Sequence, residues 1–210
     1  MMPAILVNYN YDPQDWWLGY GLGTTLFDRS DDGIQRNFTA DHIYKTENKG
    51  DVDWDKLSYL VENYDNLPDV FVWGKSNLFK FVEKDYFNES LSKNGFVPLL
   101  KFDHKTYSDQ WGVVCRYSGN MYEERADSWF FNNPDLTNQY NQTWNDWCGR
   151  FGLPKTGFIP FAPGGNYILT RERVHRYSRD LYDEMRHTLP YAQHPSEAHA
   201  CERSYYLLWK

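Results

Sequence analysis

Between Ala40 and Gly74 the chain reads ADHIYKTENKGDVDWDKLSYLVENYDNLPDVFVWG. ADHIYKT has the β-branched and aromatic make-up of a short strand, and ENKG behind it is a turn. WDKLSYLVENY places Leu57, Leu60, Val61 and Tyr64 three and four residues apart, as one face of a helix requires. DNLPD stops that helix, with Pro68 just beyond it. VFVWG is then a buried strand. Upstream, AILVNYN (Ala4–Asn10) is an apolar run with polar ends, a buried first strand, and YDPQDWWLGYGLGTT follows it as a loop.

Downstream the alternation continues. DYFNESLSKNG reads as a short helix ending at Gly95, and FVPLLKF as a strand. Residues 103–158 lack periodicity and suggest a long functional excursion with short helices. GFIPFAPGGNYILTRERV gives a strand, a Gly-Gly turn, a second strand and a helix start. RERVHRYSRDLYDEMRHTL is a helix with Val174, Tyr177, Leu181 and Met185 on one side, and PYAQHPSEAHACERSYYLLWK is a loop and a final helix. Strands alternating with helices predict an α/β fold, a central, mostly parallel mixed sheet flanked by α-helices. The 210 residues suit a single domain, either whole or the N-terminal part of a longer protein.

Composition narrows the function. A net charge of -7 argues against binding a phosphate backbone, so no nucleic-acid partner is expected. Aromatics reach 19%, with 9 Trp, 17 Tyr and 13 Phe. Most should fill the core, leaving a minority to stack on sugar rings. Cys115, Cys148 and Cys201 are odd in number and far apart, which reads as reduced thiols in a cytoplasmic setting. The sequons at Asn37, Asn88 and Asn141 are then chance matches. No apolar run approaches the ~18 residues of a membrane span, and none near the N-terminus suits a signal peptide. Gly19, Gly21 and Gly23 do not match the dinucleotide fingerprint, and neither a P-loop nor a nucleophile elbow occurs.

Asp51, Asp53 and Asp55 alternate, a spacing that can clamp a divalent metal. Asp53 also sits directly before the periodic run, where Asp is a favoured N-cap, and Asp55 falls in the first turn, where the helix dipole favours negative charge. Capping is the simpler reading. NKG lies at the end of one strand and ahead of a helix, at the sheet edge where α/β proteins bind ligands. There Lys49 would point a cation into the crevice and Gly50 would admit a close backbone approach, suiting a phosphate-bearing ligand.

The order ILVNYN, ENKG, helix, NYDNLPDVFVWGKS, then FAPGGNYILTRERV and ERSYYLLW resembles glycosyltransferases of the GT-A type, in particular fungal and large-virus sequences that include builders of viral capsid glycans. The resemblance covers nearly the whole chain and implies a UDP-sugar donor, a glycan hydroxyl acceptor and a divalent metal, Mn²⁺ or Mg²⁺, bound with UDP. It implies that Asn8, Tyr9 and Asn10 meet the nucleoside, with Lys49 and Gly50 beside them. Trp73, Gly74, Lys75 and Ser76 follow the strand that carries an Asp-x-Asp metal motif in such enzymes. Here Lys75-Ser76-Asn77 has no carboxylate, so either Lys75 replaces part of the metal's charge or another carboxylate, such as Asp127, holds the ion. Gly164, Gly165 and Asn166 would form the turn beside the sugar. The resemblance places the catalytic glutamate in the last helix, where Glu202 and Glu197 are the candidates. Arg171 and Arg173 at a helix start need a carboxylate or the donor's phosphates as partners. Two competing readings are a non-catalytic glycan- or nucleotide-binding module and a glycoside hydrolase, which needs opposed carboxylates roughly 5–9 Å apart.

Overall fold

The computed structural model describes residues 2–93, 95–101, 107–108, 114–118, 121–126, 136–140 and 143–210. In chain order the strands are β1 (Pro3–Asn8), β2 (Gly23–Asp28), β3 (His42–Lys45), β4 (Val70–Lys75), β5 (Val97–Pro98), β6 (Tyr107–Ser108), β7 (Val114–Ser118), β8 (Met121–Arg125), β9 (Phe158–Phe161) and β10 (Tyr167–Thr170). The helices are α1 (Asp51–Glu62), α2 (Lys84–Ser90), α3 (Trp144–Phe151), α4 (Arg171–Val174), α5 (Arg179–His187) and α6 (Ser196–Trp209).

The protein is a mixed α/β fold. Its main sheet has six strands in the order β3-β2-β1-β4-β10-β5. β3, β2, β1 and β4 are mutually parallel, while β10 runs antiparallel to both β4 and β5. A second, antiparallel sheet follows the order β6-β7-β8-β9.

The uninterrupted AILV of β1 is explained by burial on both faces. Ile5 and Val7 join one core with Val52, Leu57 and Leu60 of α1 and Tyr205, Leu208 and Trp209 of α6. Ala4 and Leu6 join the other with Trp17, Leu26, Val72 and Phe87. Leu6 and Leu57 are fully buried, and each such side chain contributes about 1.5–3 kcal/mol. Aromatics largely pack inside: Tyr205 and Trp209 stack at 4.6 Å, and Trp73 meets both edge-on.

Several elements depart from the sequence reading. β2 begins in the stretch read as loop and runs three residues beyond it. Its GTTLFD begins with weak strand formers straight after a glycine-rich turn, yet it pairs with β1 along six residues. Among the described residues FVPLLKF contributes two strand residues, and the RERV…HTL helix is two helices, the second capped by Ser178, whose side chain accepts the Leu181 N–H. β9 and β10 do not form a hairpin. They belong to different sheets, so Gly164-Gly165 carries the chain from one sheet to the other. No helix among the described residues is long and apolar enough to cross a membrane.

The largest correction concerns α1. Its N-cap is Gly50, with φ of 70°, and the helix starts at Asp51. Asp53 is therefore inside the helix and does not cap it. A Cβ on Gly50 would lie 2.8 Å from that of Trp54 and 2.9 Å from that of Leu189, so the tight entry to the helix demands glycine. Backbone bonds from Gly50 and Asp51 to Ala192 and Gln193 hold the helix start against the loop before α6.

Candidate functional site

β1 lies where the strand order turns back, with β2 and β3 on one side and β4 on the other. In such sheets the carboxyl ends of the strands flanking that point open onto the ligand crevice. Asn8 ends β1 and Lys75 ends β4. The Asn8 side chain is fully buried, donates to Asp28 Oδ1 at 3.1 Å and accepts from Ser76 Oγ at 2.6 Å. It ties three strand ends together. Asn10 is engaged by Asp31 on both sides of its amide, and Tyr9 lies edge-on to His194, centroids 6.1 Å apart.

Lys75 and the glycine turn lie together. The Lys75 N–H donates to Asn166 Oδ1 at 3.0 Å, and the Asn166 amide donates to Pro163 O at 2.9 Å. Gly74 has to be glycine, since a Cβ there would sit 2.8 Å from Asn166 Oδ1. Trp73 is buried in the core. Lys75 makes no ion pair among the described residues, and its ammonium lies 5.3 Å from the Phe81 ring centroid. The neighbouring Asn77 is buried, and neither atom of its amide has a partner among the described residues.

Lys49 is placed differently from expectation. It pairs with Glu47 at 2.7 Å and lies over the Trp54 ring. The lysine that reaches the turn is Lys56, completely buried, whose Nζ donates to Gly165 O at 2.8 Å and Gly164 O at 3.2 Å. From the other side, Glu202 Oε1 accepts the Gly164 N–H at 3.3 Å and an Arg203 N–H at 2.8 Å. Gly165 is squeezed between them: a Cβ would meet Lys56 Nζ at 3.1 Å and Glu202 Cγ at 3.4 Å. Glu202 Oε2 accepts no hydrogen bond among the described residues. Arg203 is anchored by Glu124 of β8, at 2.7 and 2.9 Å.

Charge is concentrated here. Burial pushes the Lys56 ammonium down to about 8 against the attraction of Asp53. Burial pushes Asp53 up to about 7, aided by Glu202 and Asp51 and opposed by Lys56 and a 2.6 Å hydrogen bond from Tyr205. Burial, with Arg203 close by, lowers His199 to about 4. For Asp51, burial is outweighed by the hydrogen bond to His194 and the charges of Lys75 and His199, and its carboxyl lies below the usual range. His194 is correspondingly raised by that hydrogen bond. Asp51 also has a positive φ of 52°, a strained conformation for a non-glycine residue at the mouth of the crevice.

Glu197 is elsewhere. It is fully buried and accepts N–H bonds from Gln139 at 3.1 Å and Tyr140 at 2.7 Å, plus the Tyr191 hydroxyl, which accounts for it structurally. Arg171 pairs with Asp69 at 2.7 Å, and Arg173 donates to the Lys210 carbonyl. Asp127 lies outside the described residues. Among the described residues no group of three His, Cys, Asp or Glu side chains is arranged to hold a metal.

Sequence reasoning missed Lys56, gave His199 no role, and read Asp51 only as one of three alternating aspartates able to clamp a metal. The signal for Lys56 was available: Asp53, Lys56, Leu57 and Leu60 fall at i, i+3, i+4 and i+7, so two charges share the apolar stripe of α1. Comparison with protein-family models, characterised proteins and solved structures finds no match.

Proposed function

We propose that the chain is a UDP-sugar-dependent glycosyltransferase of GT-A type acting on a glycan hydroxyl. The observation that carries the reading is the Gly164-Gly165 turn, fixed by Lys56 on one side and Glu202 on the other, facing the strand-end crevice with Lys75. The antiparallel β10, inserted between β4 and β5, brings that turn to the carboxyl end of β4. Support for an anionic ligand comes from Lys75, a cation at a strand end with no ion pair among the described residues. The free buried thiols of Cys148 and Cys201 suit the cytosol, the host's if the protein is viral.

In this reading Lys75 holds the donor's diphosphate and the glycine turn lies along the sugar. Glu202 Oε2 takes the proton of the acceptor hydroxyl as its oxygen attacks the anomeric carbon, and the bond to the diphosphate breaks with UDP leaving. Arg203 and the Gly164 N–H occupy Oε1, which fixes the carboxylate and leaves Oε2 for the proton. The described residues do not form a metal cage. A Mn²⁺ or Mg²⁺ ion would neutralise charge on the diphosphate, with Asp127 as the expected protein ligand. The absence of a carboxylate at Lys75-Ser76-Asn77 favours one second reading, a non-catalytic nucleotide- or glycan-binding module.

Thermal unfolding with UDP, GDP and CMP at equal concentration, each with and without Mn²⁺, tests the reading, because a ligand of the native state stabilises it by RT ln(1 + [L]/Kd), so the tighter ligand gives the larger rise in melting temperature. UDP should give the largest shift. Equal shifts for all three nucleotides, or none, would remove the UDP-sugar reading. A UDP shift without transfer to any glycan acceptor would favour the binding module.

A further inference from the structure

On the other side of α1 from the crevice, a cleft of about 730 Å³ opens between that helix and strands β2 and β3. The volume falls within the range of small-molecule pockets, roughly 300–1,000 Å³. None of its lining side chains is aliphatic. Phe27 and Tyr44 stack at 5.4 Å along the sheet, with Tyr44 51% exposed, and Trp54 and Tyr59 face them from α1. Aromatic rings interspersed with polar and charged side chains offer no continuous apolar surface to a helix or a lipid tail. They suit a ligand with an apolar face to stack and a polar edge to bind.

Charge then separates the ligand classes. Each charged residue lining the cleft already has a partner of opposite sign. Asp55 faces Arg29 at 3.6 Å, Lys45 pairs with Asp28, and Arg186 holds Asp183 while lying 3.7 Å from Glu62. Neither the lysine nor the arginine of its walls is left without a carboxylate partner. Hydroxyl and amide groups are plentiful instead, from Thr25, Thr46, Ser58 and Asn63. We infer that this cleft is a binding site for a neutral saccharide, with a sugar ring stacked on Tyr44 and its hydroxyls shared among the hydroxyl, amide and charged groups of the walls. The inference does not rest on glycosyl transfer, because the cleft lies apart from Lys75 and Glu202 and its occupancy is read without turnover.

Saturation-transfer NMR on the intact chain, with methyl glycosides of glucose, galactose, mannose, xylose, fucose, rhamnose and N-acetylglucosamine at millimolar concentration and uridine as a further arm, tests it. At least one glycoside should receive saturation. Tyr44→Ala should weaken its binding about tenfold, the loss of one aromatic contact. His42→Ala, on the same exposed edge strand, provides a second variant, and it should weaken binding in the same direction. Silence from every glycoside overturns the site. So does a signal that survives both substitutions, which would place the sugar elsewhere, and so does a Tyr44-dependent signal from uridine alone, which would make the cleft a nucleoside site.

Discussion

Asp53 and Lys56 show how much of this protein is decided by single side chains. Both put an ionisable group into the core beneath the glycine turn, each held by a hydrogen bond, Asp53 from Tyr205 and Lys56 to Gly165. Asp53, raised to about 7, keeps its proton in the folded state over a range where an unfolded aspartate, near 3.9, has lost it. The native state then binds more protons between about pH 4 and pH 7, so this group's contribution to stability falls as pH rises through that window. Asp53→Asn does not titrate. The advantage of the wild type over Asp53→Asn should therefore shrink between about pH 4 and pH 7, as urea midpoints would show. A difference that stays constant with pH would contradict the buried, protonated aspartate. Glu202→Gln keeps the shape of the carboxylate but cannot accept a proton. It should lower kcat by about 10²–10⁴ while leaving UDP-sugar affinity within a few-fold, as steady-state kinetics beside donor titrations would measure. An active Glu202→Gln enzyme would move the base elsewhere.

At the scale of elements, α6 separates the two glutamates that looked alike in sequence. Glu197, Cys201, Ser204, Tyr205 and Leu208 form its buried stripe, while His199 and Glu202 are only partly buried, and Glu202 reaches the Gly164 N–H. Glu197→Ala should cost roughly 1–3 kcal/mol, since it removes a buried carboxylate that accepts the Tyr140 N–H and the Tyr191 hydroxyl, and transfer per folded molecule should hold. A variant that is stable yet dead would return Glu197 to the catalytic role. The turn is equally constrained. Gly74→Ala drives a methyl against Asn166 Oδ1, and overpacking of this kind typically costs about 1–3 kcal/mol. It should weaken UDP binding as well as stability, because Asn166 holds both the turn and the Lys75 backbone; unchanged UDP titrations would detach the turn from the site. The strand–helix–strand order around α1 was legible because its apolar spacing is strong. The start of α1 was not, because Gly50 caps it through a positive φ that no side-chain pattern signals. β2 was hidden for a related reason: its pairing with β1, not the propensity of GTTLFD, makes it a strand.

For the whole molecule, sheet topology is what brings distant sequence together. Lys75, Asn166, Glu202 and Lys56 come from four separate elements and meet only because β10 enters antiparallel beside β4 and α6 packs behind it. The α/β class followed from alternation alone, whereas the insertion of β10 into one sheet and β9 into another is a long-range choice that local spacing does not encode. The candidate crevice was therefore half legible: Lys75, the glycine turn and Glu202 were singled out, Asp51 was noticed only as one of three alternating aspartates, and Lys56 and His199 needed the fold to be seen. The central claim is that this crevice binds the diphosphate of a UDP-sugar through Lys75. Calorimetric titration of UDP into the wild type and into Lys75→Ala tests it most directly. A charged hydrogen bond contributes about 1.5–3 kcal/mol, so affinity should fall between about tenfold and a hundredfold in the variant. No UDP binding to the wild type, or equal affinity in the two proteins, would contradict the account.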